Sequence, residues 1–542
     1  MIVDFSRFVV PERHDLCVVG AGPIGIALAL AAAGQGMKVV LLESGGETPE
    51  PAAIELGRGA IRRPHAHTQL TEANCRALGG TSHWWGGRCV PFDPIDFADR
   101  PWLDGPGWPI GYDDVAPFYE EAAAFAGCGP ADFSIEGPWR DLRGLAFDTL
   151  ERWAVNPNLG AVHRETLSRS EDVTVVLGAT VTDLMLADDR RSVAGVVAAG
   201  DGKRLELPAP RVALACGGVQ TPRLLLAVQA REPALFGGPE GPLGRFYMGH
   251  VFGKIADLVL ADRRRGRDLD FFKDRGAYVR RRFTLPDEVQ SDQGLLQTTF
   301  TAGNARVSDP SHRSGPLSLI WLMLASPLGK RLLPDALLQI YIGTGARPYG
   351  AHIGNVVRNI FPTILSALQI FRERYLSKPG KPAVFLASAG GRYTVHYHSE
   401  QSPDPENRLR LSDEVDAVGM ARLDIDFGYA RADAERIVRA HGAFDAALQA
   451  NGVGRLEYQA DEAGRIASVL EQARDGMHQI GATRMAADPG LGVVDRDCRV
   501  HGLSNLFIAA TSVFPTSSQA NPTFLGVALA HRLAAHLAAS RA

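Results

Sequence analysis

The spacing of apolar positions changes character along the chain. Leu16-Cys-Val-Val19 is an unbroken apolar run after Asp15, as expected of a strand buried on both faces of a parallel sheet. Gly20-Ala-Gly22-Pro-Ile-Gly25 follows, and Ile26-Ala-Leu-Ala-Leu-Ala-Ala-Ala predicts a helix that Gly34-Gln-Gly36 ends. Lys38-Val-Val-Leu-Leu-Glu43 predicts a second strand. Residues 45–75 read as a connecting segment with Pro49, Pro51 and Pro64, and residues 91–128 as loops with a short helix. Residues 173–177 and 179–186 alternate like strands. Residues 212–216 predict a strand that returns to the first sheet, followed by Gly217-Gly218 and a helix. Residues 392–399 and 422–427 predict strands in the sheet of a second domain. Near the end, Asn521-Pro-Thr523 precedes the apolar run Phe524-Leu-Gly-Val-Ala-Leu-Ala, which reads as a helix.

This order of elements predicts an α/β fold: a discontinuous Rossmann-like nucleotide-binding domain with an intervening α+β domain. The expected boundaries are residues 1–250, including connecting loops at 91–170, then 251–460, then 461–542. A chain of 542 residues has room for more than one core. The net charge of −4 argues against a general nucleic-acid binder. The six cysteines, Cys17, Cys75, Cys89, Cys128, Cys216 and Cys498, form no C-x-x-C pair, so zinc and dithiol chemistry are disfavoured and no metal site is expected. Scattered thiols fit a reducing compartment, and no signal peptide is visible, so a cytoplasmic location is expected.

Residues 316–378 are unusual. Leu317-Ser-Leu-Ile-Trp-Leu-Met-Leu-Ala, Leu337-Leu-Gln-Ile-Tyr-Ile and Ile360-Phe-Pro-Thr-Ile-Leu alternate with Lys330, Arg331, Arg347, Arg358, Arg372, Arg374 and Lys378. Pro327, Pro334 and Pro362 interrupt the stretch, and no run reaches the ~20 residues of a spanning helix. Such an insertion fits a helical lid or a subunit interface that buries its apolar face. It also fits a helix lying on a membrane surface.

The amino-terminal unit carries chemistry. Gly20 permits the tight turn, Gly22 a close approach to a pyrophosphate, and Gly25 helix-on-sheet packing. The helix start favours an anion. Glu43, roughly 20 residues past the glycines, stands where a carboxylate meets ribose hydroxyls. Strand, turn, helix, strand and acid in order predict a dinucleotide site, without deciding between FAD and NAD. A second glycine-rich loop, Arg76-Ala-Leu-Gly79-Gly80-Thr-Ser-His83-Trp84-Trp85-Gly86-Gly87-Arg88, is too rich in glycine for a helix and too aromatic for a solvated linker. Its backbone can lie close against a flat ring system.

More than four hundred residues later comes His478-Gln-Ile-Gly-Ala-Thr-Arg-Met485, then Gly492-Val-Val-Asp495, Arg499-Val-His-Gly502, Asn505-Leu-Phe-Ile-Ala-Ala510, Ser512-Val-Phe-Pro-Thr516 and Asn521-Pro-Thr523. With the two amino-terminal glycine signatures, this series resembles the glucose–methanol–choline (GMC) oxidoreductases. Ser399-Glu-Gln-Ser-Pro-Asp-Pro-Glu-Asn-Arg-Leu resembles their pyranose oxidase and C-glycoside oxidase branch. The resemblance covers both ends of the chain well and the middle poorly.

The resemblance implies FAD, a middle domain lying over the flavin ring, and a catalytic pair carried here by His478 and Asn521. It assigns to the cofactor Gly20, Gly22, Gly25, Glu43, Ser44, Arg76, Gly80, Thr81, Ser82, Trp85, Gly86, Val181, Cys216, Ala510, Thr511, Asn521 and Thr523. Some family members attach FAD through a histidine in the second glycine-rich loop; the matching position here is Trp84, with His83 one residue earlier, so non-covalent FAD is expected. Glu400 and Gln401 are expected to touch a sugar, although a charged loop explains them nearly as well. His501 and His531 lack such context and read as structural.

The chemistry is consistent with this assignment. Oxidising an alcohol removes a hydroxyl proton and a hydride from the same carbon. Flavin N5 takes the hydride; histidine suits the proton, and an asparagine amide can hold the developing alkoxide. The leading expectation is oxidation of a secondary hydroxyl on a sugar or glycoside to a ketone, with oxygen, a quinone or a redox partner protein as acceptor. The alternatives are oxidation of an apolar alcohol (a lipid or sterol) at a membrane surface, a lyase or isomerase retaining flavin structurally, and a non-catalytic flavoprotein.

Overall fold

The computed structural model describes residues 1–103, 105–329, 342 and 347–540. Its centre is a six-stranded sheet in the order Ile2–Asp4, Val173–Leu177, Val39–Glu43, Leu16–Val19, Val212–Leu214, Leu506–Ile508, with every neighbouring pair parallel. The apolar runs become strands because both faces are covered: all residues of Leu16–Val19 and Val39–Glu43 are buried. The chain adds Val39–Glu43 on one side of Leu16–Val19 and Val212–Leu214 on the other. That reversal opens a crevice at the carboxyl ends of the two central strands. The first helix, Pro23–Gly34, packs against the last, Pro522–Ala539, so the two ends of the chain meet beside the crevice.

A second sheet is antiparallel, in the order Phe283–Thr284, Thr298–Gly303, Arg392–Glu400, His250–Leu260, Gly454–Tyr458. It has its own core, which includes Phe283, Phe300 and Phe444. Helices Arg431–Ala450 and Glu462–Gln472 pack on it. A four-stranded sheet, Phe272–Asp274, Ala277–Arg281, Leu150–Trp153, Arg88–Cys89, ties the end of the second glycine-rich loop to this half of the molecule. The mixed α/β architecture with a parallel sheet is therefore present.

Three local expectations need correction. The segment 45–75 contains a strand, Gly59–Ile61, which pairs in parallel with Ala421–Asp426. The strands around 392 and 422 accordingly lie in different sheets, because alternation fixes a strand's faces and leaves its partner open. Within the second glycine-rich loop, Gly80–His83 forms a 3-10 turn, entered from Gly79 at φ 96°. The described part of the insertion contains helices Gly315–Leu324, Tyr349–Arg358 and Ile360–Phe371. Lys330, Arg331, Pro334 and all but Ile342 of the 337–342 apolar segment lie outside the described residues. Among the described residues no helix is long and apolar enough to cross a membrane. All six cysteines are free thiols.

Candidate active site

At the carboxyl ends of the central strands lies a cavity of about 380 Å³. Its walls come from the first strand–helix turn, the end of Val39–Glu43, the second glycine-rich loop, the start of helix Gly217–Arg231, and the turn into helix Pro522–Ala539. Gly20 makes the first turn at φ 104°, and a Cβ there would stand 2.5 Å from the Ala215 carbonyl oxygen. All the residues assigned to the cofactor line this cavity except Gly25 and Ala510. A Cβ on Gly25 would meet the Gly20 oxygen at 1.9 Å, so this glycine serves packing. Ala510 is buried behind the wall, and its carbonyl accepts the Val513 N–H.

Glu43 is buried, with Oε2 accepting the Ala21 N–H at 2.8 Å and Oε1 the Gly45 N–H at 2.9 Å. Burial pushes its pKa up, against the pull of these amides and of Arg76. Arg76 donates to Ser44 Oγ at 2.8 Å and to Gln220 Oε1 at 2.9 Å. Burial, with Arg223 nearby, lowers its pKa. Gln220 fixes this arginine; its position early in helix Gly217–Arg231 gave no signal in the sequence.

His478 lines the same cavity, beside Asn521. Its Nδ1 lies 3.0 Å from Asp475 Oδ2, and its Nε2 lies 2.9 Å from Asn521 Nδ2. Asn521 Oδ1 accepts from Arg88 Nη1 at 2.6 Å. These contacts determine the direction of every bond. A guanidinium only donates and a carboxylate only accepts. Arg88 therefore turns the Asn521 oxygen towards itself and the amide N–H towards His478. Asp475 takes the Nδ1–H. His478 is left with an unprotonated Nε2 facing the cavity.

Both ends of this chain are anchored. Asp475 Oδ2 also accepts the His250 N–H at 2.8 Å, and Oδ1 accepts the N–H groups of Met477 and His478 at 2.9 and 3.1 Å. Burial alone would raise the Asp475 pKa; His478 and His250 outweigh it and hold the carboxylate well below its usual range. Arg88 reaches Glu151 at 2.5 Å, and Glu151 also binds Arg280 at 2.6 Å. Against the cost of burial, Arg280 and Arg88 hold Glu151 down to about 2. Sequence reading missed Asp475, Arg88 and Glu151 as members of this arrangement.

Two further imidazoles flank His478. The His250 and His398 ring centroids lie 4.7 and 5.7 Å from that of His478. His250 Nε2 is 3.1 Å from the Ser517 carbonyl and His398 Nδ1 is 2.5 Å from the Gln519 carbonyl, so each ring keeps one unprotonated nitrogen. Burial drives both rings well below the usual histidine range, with added repulsion from His398 and His478 on His250 and from Arg88 and His478 on His398. Ring nitrogens of the three histidines lie within 4.8 Å of one another, close enough to share a metal. A metal there would take His478 Nε2 from Asn521, so the two uses exclude each other.

Glu400 and Gln401 must be reassigned. Glu400 ends a buried strand and forms a two-pronged ion pair with Arg100, at 2.7 and 2.8 Å. Gln401 accepts the Gly249 N–H and donates to the Gly428 carbonyl. Both are fully buried with their side chains engaged, and neither lines the cavity. The polar group that does stand beside His478 is His398, two residues earlier on the same strand.

Known proteins resemble this chain in its carboxy-terminal region and in its fold. Residues 403–530 match the GMC oxidoreductase family in its carboxy-terminal domain. Over 333 residues, the chain is 24% identical to 2-methyl-1,2-propanediol dehydrogenase of Mycolicibacterium austroafricanum, covering 47% of this chain and 58% of that protein. Over 63 residues it is 46% identical to C-glycoside 3-oxidase of Microbacterium trichothecenolyticum, covering 11% of this chain and 12% of that protein. The first relative is thus matched over little more than half its length. Pyridoxine 4-oxidase from Mesorbium loti has a similar structure, with TM-score 0.53 and 17% identity over 97% of this chain and 99% of its own. A fungal aryl-alcohol oxidase gives TM-score 0.54 and 13% identity over 98% and 100% of the two chains. At these identities the structures speak for the fold alone. Residues 403–530 thus resemble the carboxy-terminal domain of the GMC oxidoreductases, and the chain shares the overall fold of known oxidases.

Proposed function

We propose that the protein is an FAD-dependent oxidoreductase that oxidises a secondary hydroxyl of a sugar or glycoside to a ketone, with His478 as the base. The observation that carries this reading is the His478–Asn521 pair in the wall of the cavity. It sets an acceptor, Nε2, beside a donor, the Asn521 N–H. An alcohol is the complement: its O–H donates and its oxygen accepts. A substrate hydroxyl entering between them would give its proton to Nε2, while the amide N–H holds the oxygen as negative charge develops. Asp475 keeps the ring in the tautomer that can accept that proton.

The cavity suits FAD in its parts. Gly22 lines it at the start of helix Pro23–Gly34, with nothing within 4 Å of where its Cβ would be, which leaves the helix N-terminus open to a pyrophosphate. Glu43, Trp84, Trp85, Gly86 and Thr523 also line it, and in this reading Glu43 meets the ribose. When bound, FAD supplies the acceptor for the substrate hydride. His83 is turned away from the cavity, with its Nε2 2.9 Å from the Leu78 carbonyl, which supports non-covalent binding. In this reading residues 1–250 and 461–542 form the cofactor domain and 251–460 the substrate domain.

A polar substrate is favoured because the surroundings of His478 are polar. His398 bonds the Gln519 carbonyl. The Gln519 side chain accepts from Arg282 at 2.6 Å and donates to Asp93 at 3.2 Å, and Gln297 also donates to Asp93. His398, whose ring centroid lies 5.7 Å from that of His478, keeps one ring nitrogen free. No described residue of the apolar insertion lines this cavity. The test is anaerobic mixing of the purified protein with a panel of glycosides and apolar alcohols while following flavin absorbance. Bleaching by a glycoside is expected, and readmitting air separates an oxidase from a dehydrogenase. Bleaching by apolar alcohols alone would refute the sugar assignment.

A further inference from the structure

The helices Tyr349–Arg358 and Ile360–Phe371 are amphipathic with the faces reversed. The side towards the protein is polar. His352 is fully buried, stacks on Trp321 at 4.1 Å and bonds Ser318 at 3.0 Å. Asn355 donates to the Pro310 carbonyl and to Ser318, and buried Thr363 bonds the Asn359 carbonyl. The side towards solvent is aliphatic and aromatic. Val357 is 67% exposed, Phe361 77%, Leu365 66% and Leu368 63%, with Ile353, Ile360 and Ile364 also exposed. Their spacing, 353, 357, 360/361, 364/365, 368, is one helical stripe running across both helices. A water-facing helix has the opposite pattern, and an exposed apolar strip of this kind marks a contact surface.

The charge around the strip indicates the contact. Residues 347–380 contain Arg347, Arg358, Arg372, Arg374 and Lys378, against the single acid Glu373, in a chain whose net charge is −4. Glu373 is itself taken up by Lys381 at 3.2 Å. A twofold contact between two copies would set this basic rim against itself. An anionic bilayer supplies both missing complements, an apolar interior for the strip and negative headgroups for the rim. The Ile360–Phe371 helix, with 12 residues, is roughly 18 Å long and too short to span a bilayer.

We propose that this face docks the protein in-plane on an anionic lipid surface. The experiment is flotation of the full-length, FAD-loaded protein with vesicles of phosphatidylcholine alone or mixed with phosphatidylglycerol. Flotation with the anionic vesicles only, and its loss at high salt, is expected. The triple variant F361S/L365S/L368S should stay at the bottom of the gradient while retaining FAD and activity, since none of the three residues lines the cofactor cavity. Removing cations with R358Q/R372Q should weaken partitioning about fivefold per charge. Failure of the wild-type protein to float with anionic vesicles, or flotation of the triple variant like wild type, would overturn the proposal. So would a dimer, detected by sedimentation, that the triple variant dissociates while neither protein floats; that result would assign the face to a second copy of the chain.

Discussion

Replacing Asp475 with asparagine preserves shape and removes one acceptor oxygen. The carboxylate receives four donors: the His250 N–H and His478 Nδ1–H on Oδ2, and the N–H groups of Met477 and His478 on Oδ1. An asparagine amide offers one oxygen and would turn its NH₂ towards two of these donors. If the oxygen keeps the two backbone N–H groups at Oδ1, the NH₂ faces His478 Nδ1. The imidazole must then carry its proton on Nε2. That nitrogen faces the Asn521 NH₂, whose orientation Arg88 fixes. No arrangement satisfies the whole chain of bonds.

The cost follows from the pieces. Losing one charge-assisted hydrogen bond costs about 1.5–3 kcal/mol, or roughly 10- to 150-fold in rate. A base held in the wrong tautomer loses up to ~10⁴, as removal of the carboxylate charge from a serine-protease triad illustrates. The expected fall in the rate of substrate-driven flavin reduction is therefore ~10²–10⁴. The assay is anaerobic stopped-flow absorbance on D475N protein, with FAD content and glycoside dissociation constant measured on the same sample. A purely structural role would reduce FAD content or substrate binding together with the rate. Unchanged FAD, unchanged binding and a reduction rate within about threefold of wild type would refute the argument.

Three other outcomes are expected. His478→Ala should retain FAD and lose about 10²–10⁴ in turnover, the range for a general base; near-normal turnover in steady-state assays would remove it from that role. Arg100→Met should lower stability by about 3–5 kcal/mol in denaturant unfolding, because it leaves the fully buried Glu400 unpaired; a small stability change with a large rise in glycoside KM would restore Glu400 to the substrate site. Asp433 is buried, which raises its pKa to about 6 despite hydrogen bonds from Ser402. The folded pKa lies above the unfolded one, so its contribution is complete below about pH 4 and is lost as pH rises through about 6, a change of ~3 kcal/mol. Wild type should therefore lose stability relative to Asp433→Asn between about pH 3 and about pH 7, a window that brackets those two pKa values, as read by thermal unfolding; parallel curves would refute the assignment.

The parts of this molecule that could be read in the sequence are those whose constraints are local. A strand covered on both faces must be an apolar run, as Leu16–Val19 and Val39–Glu43 are. A turn at positive φ against a neighbouring carbonyl requires the glycine at position 20. What escaped was set by partners distant in the chain. Glu400 read as a sugar contact, with a charged loop as the other explanation, because Arg100, the residue that neutralises it, lies 300 positions away. Arg88 closes a loop that was singled out, yet its role depends on Asn521, 433 positions on, and on Glu151 across a strand pair. Asp475 is only three residues from His478, but Asp475-Gly476 reads equally well as a turn. Its function becomes visible once the fold brings the His250 N–H to the same carboxylate.

The arrangement also explains why one histidine among three serves as the base. His250, His398 and His478 each retain an unprotonated ring nitrogen, so the tautomer alone does not separate them. Their anchors do. His250 and His398 each donate to a backbone carbonyl, a neutral acceptor. His478 alone donates to a carboxylate, and Asp475 is held ionised in the interior by the donors around it. When a proton arrives at Nε2, the resulting imidazolium lies 3.0 Å from a full negative charge, whereas a protonated His250 would stand 3.9 Å from the same carboxylate and His398 faces a carbonyl dipole. At the other end, Arg88 keeps the Asn521 N–H pointing at the incoming oxygen, and the pair of arginines on Glu151 keeps Arg88 in place. The protein thus fixes a carboxylate behind the base and an amide donor beside it, and a hydroxyl that enters between Nε2 and Nδ2 meets a path for its proton and a stabilising contact for its oxygen at the same time.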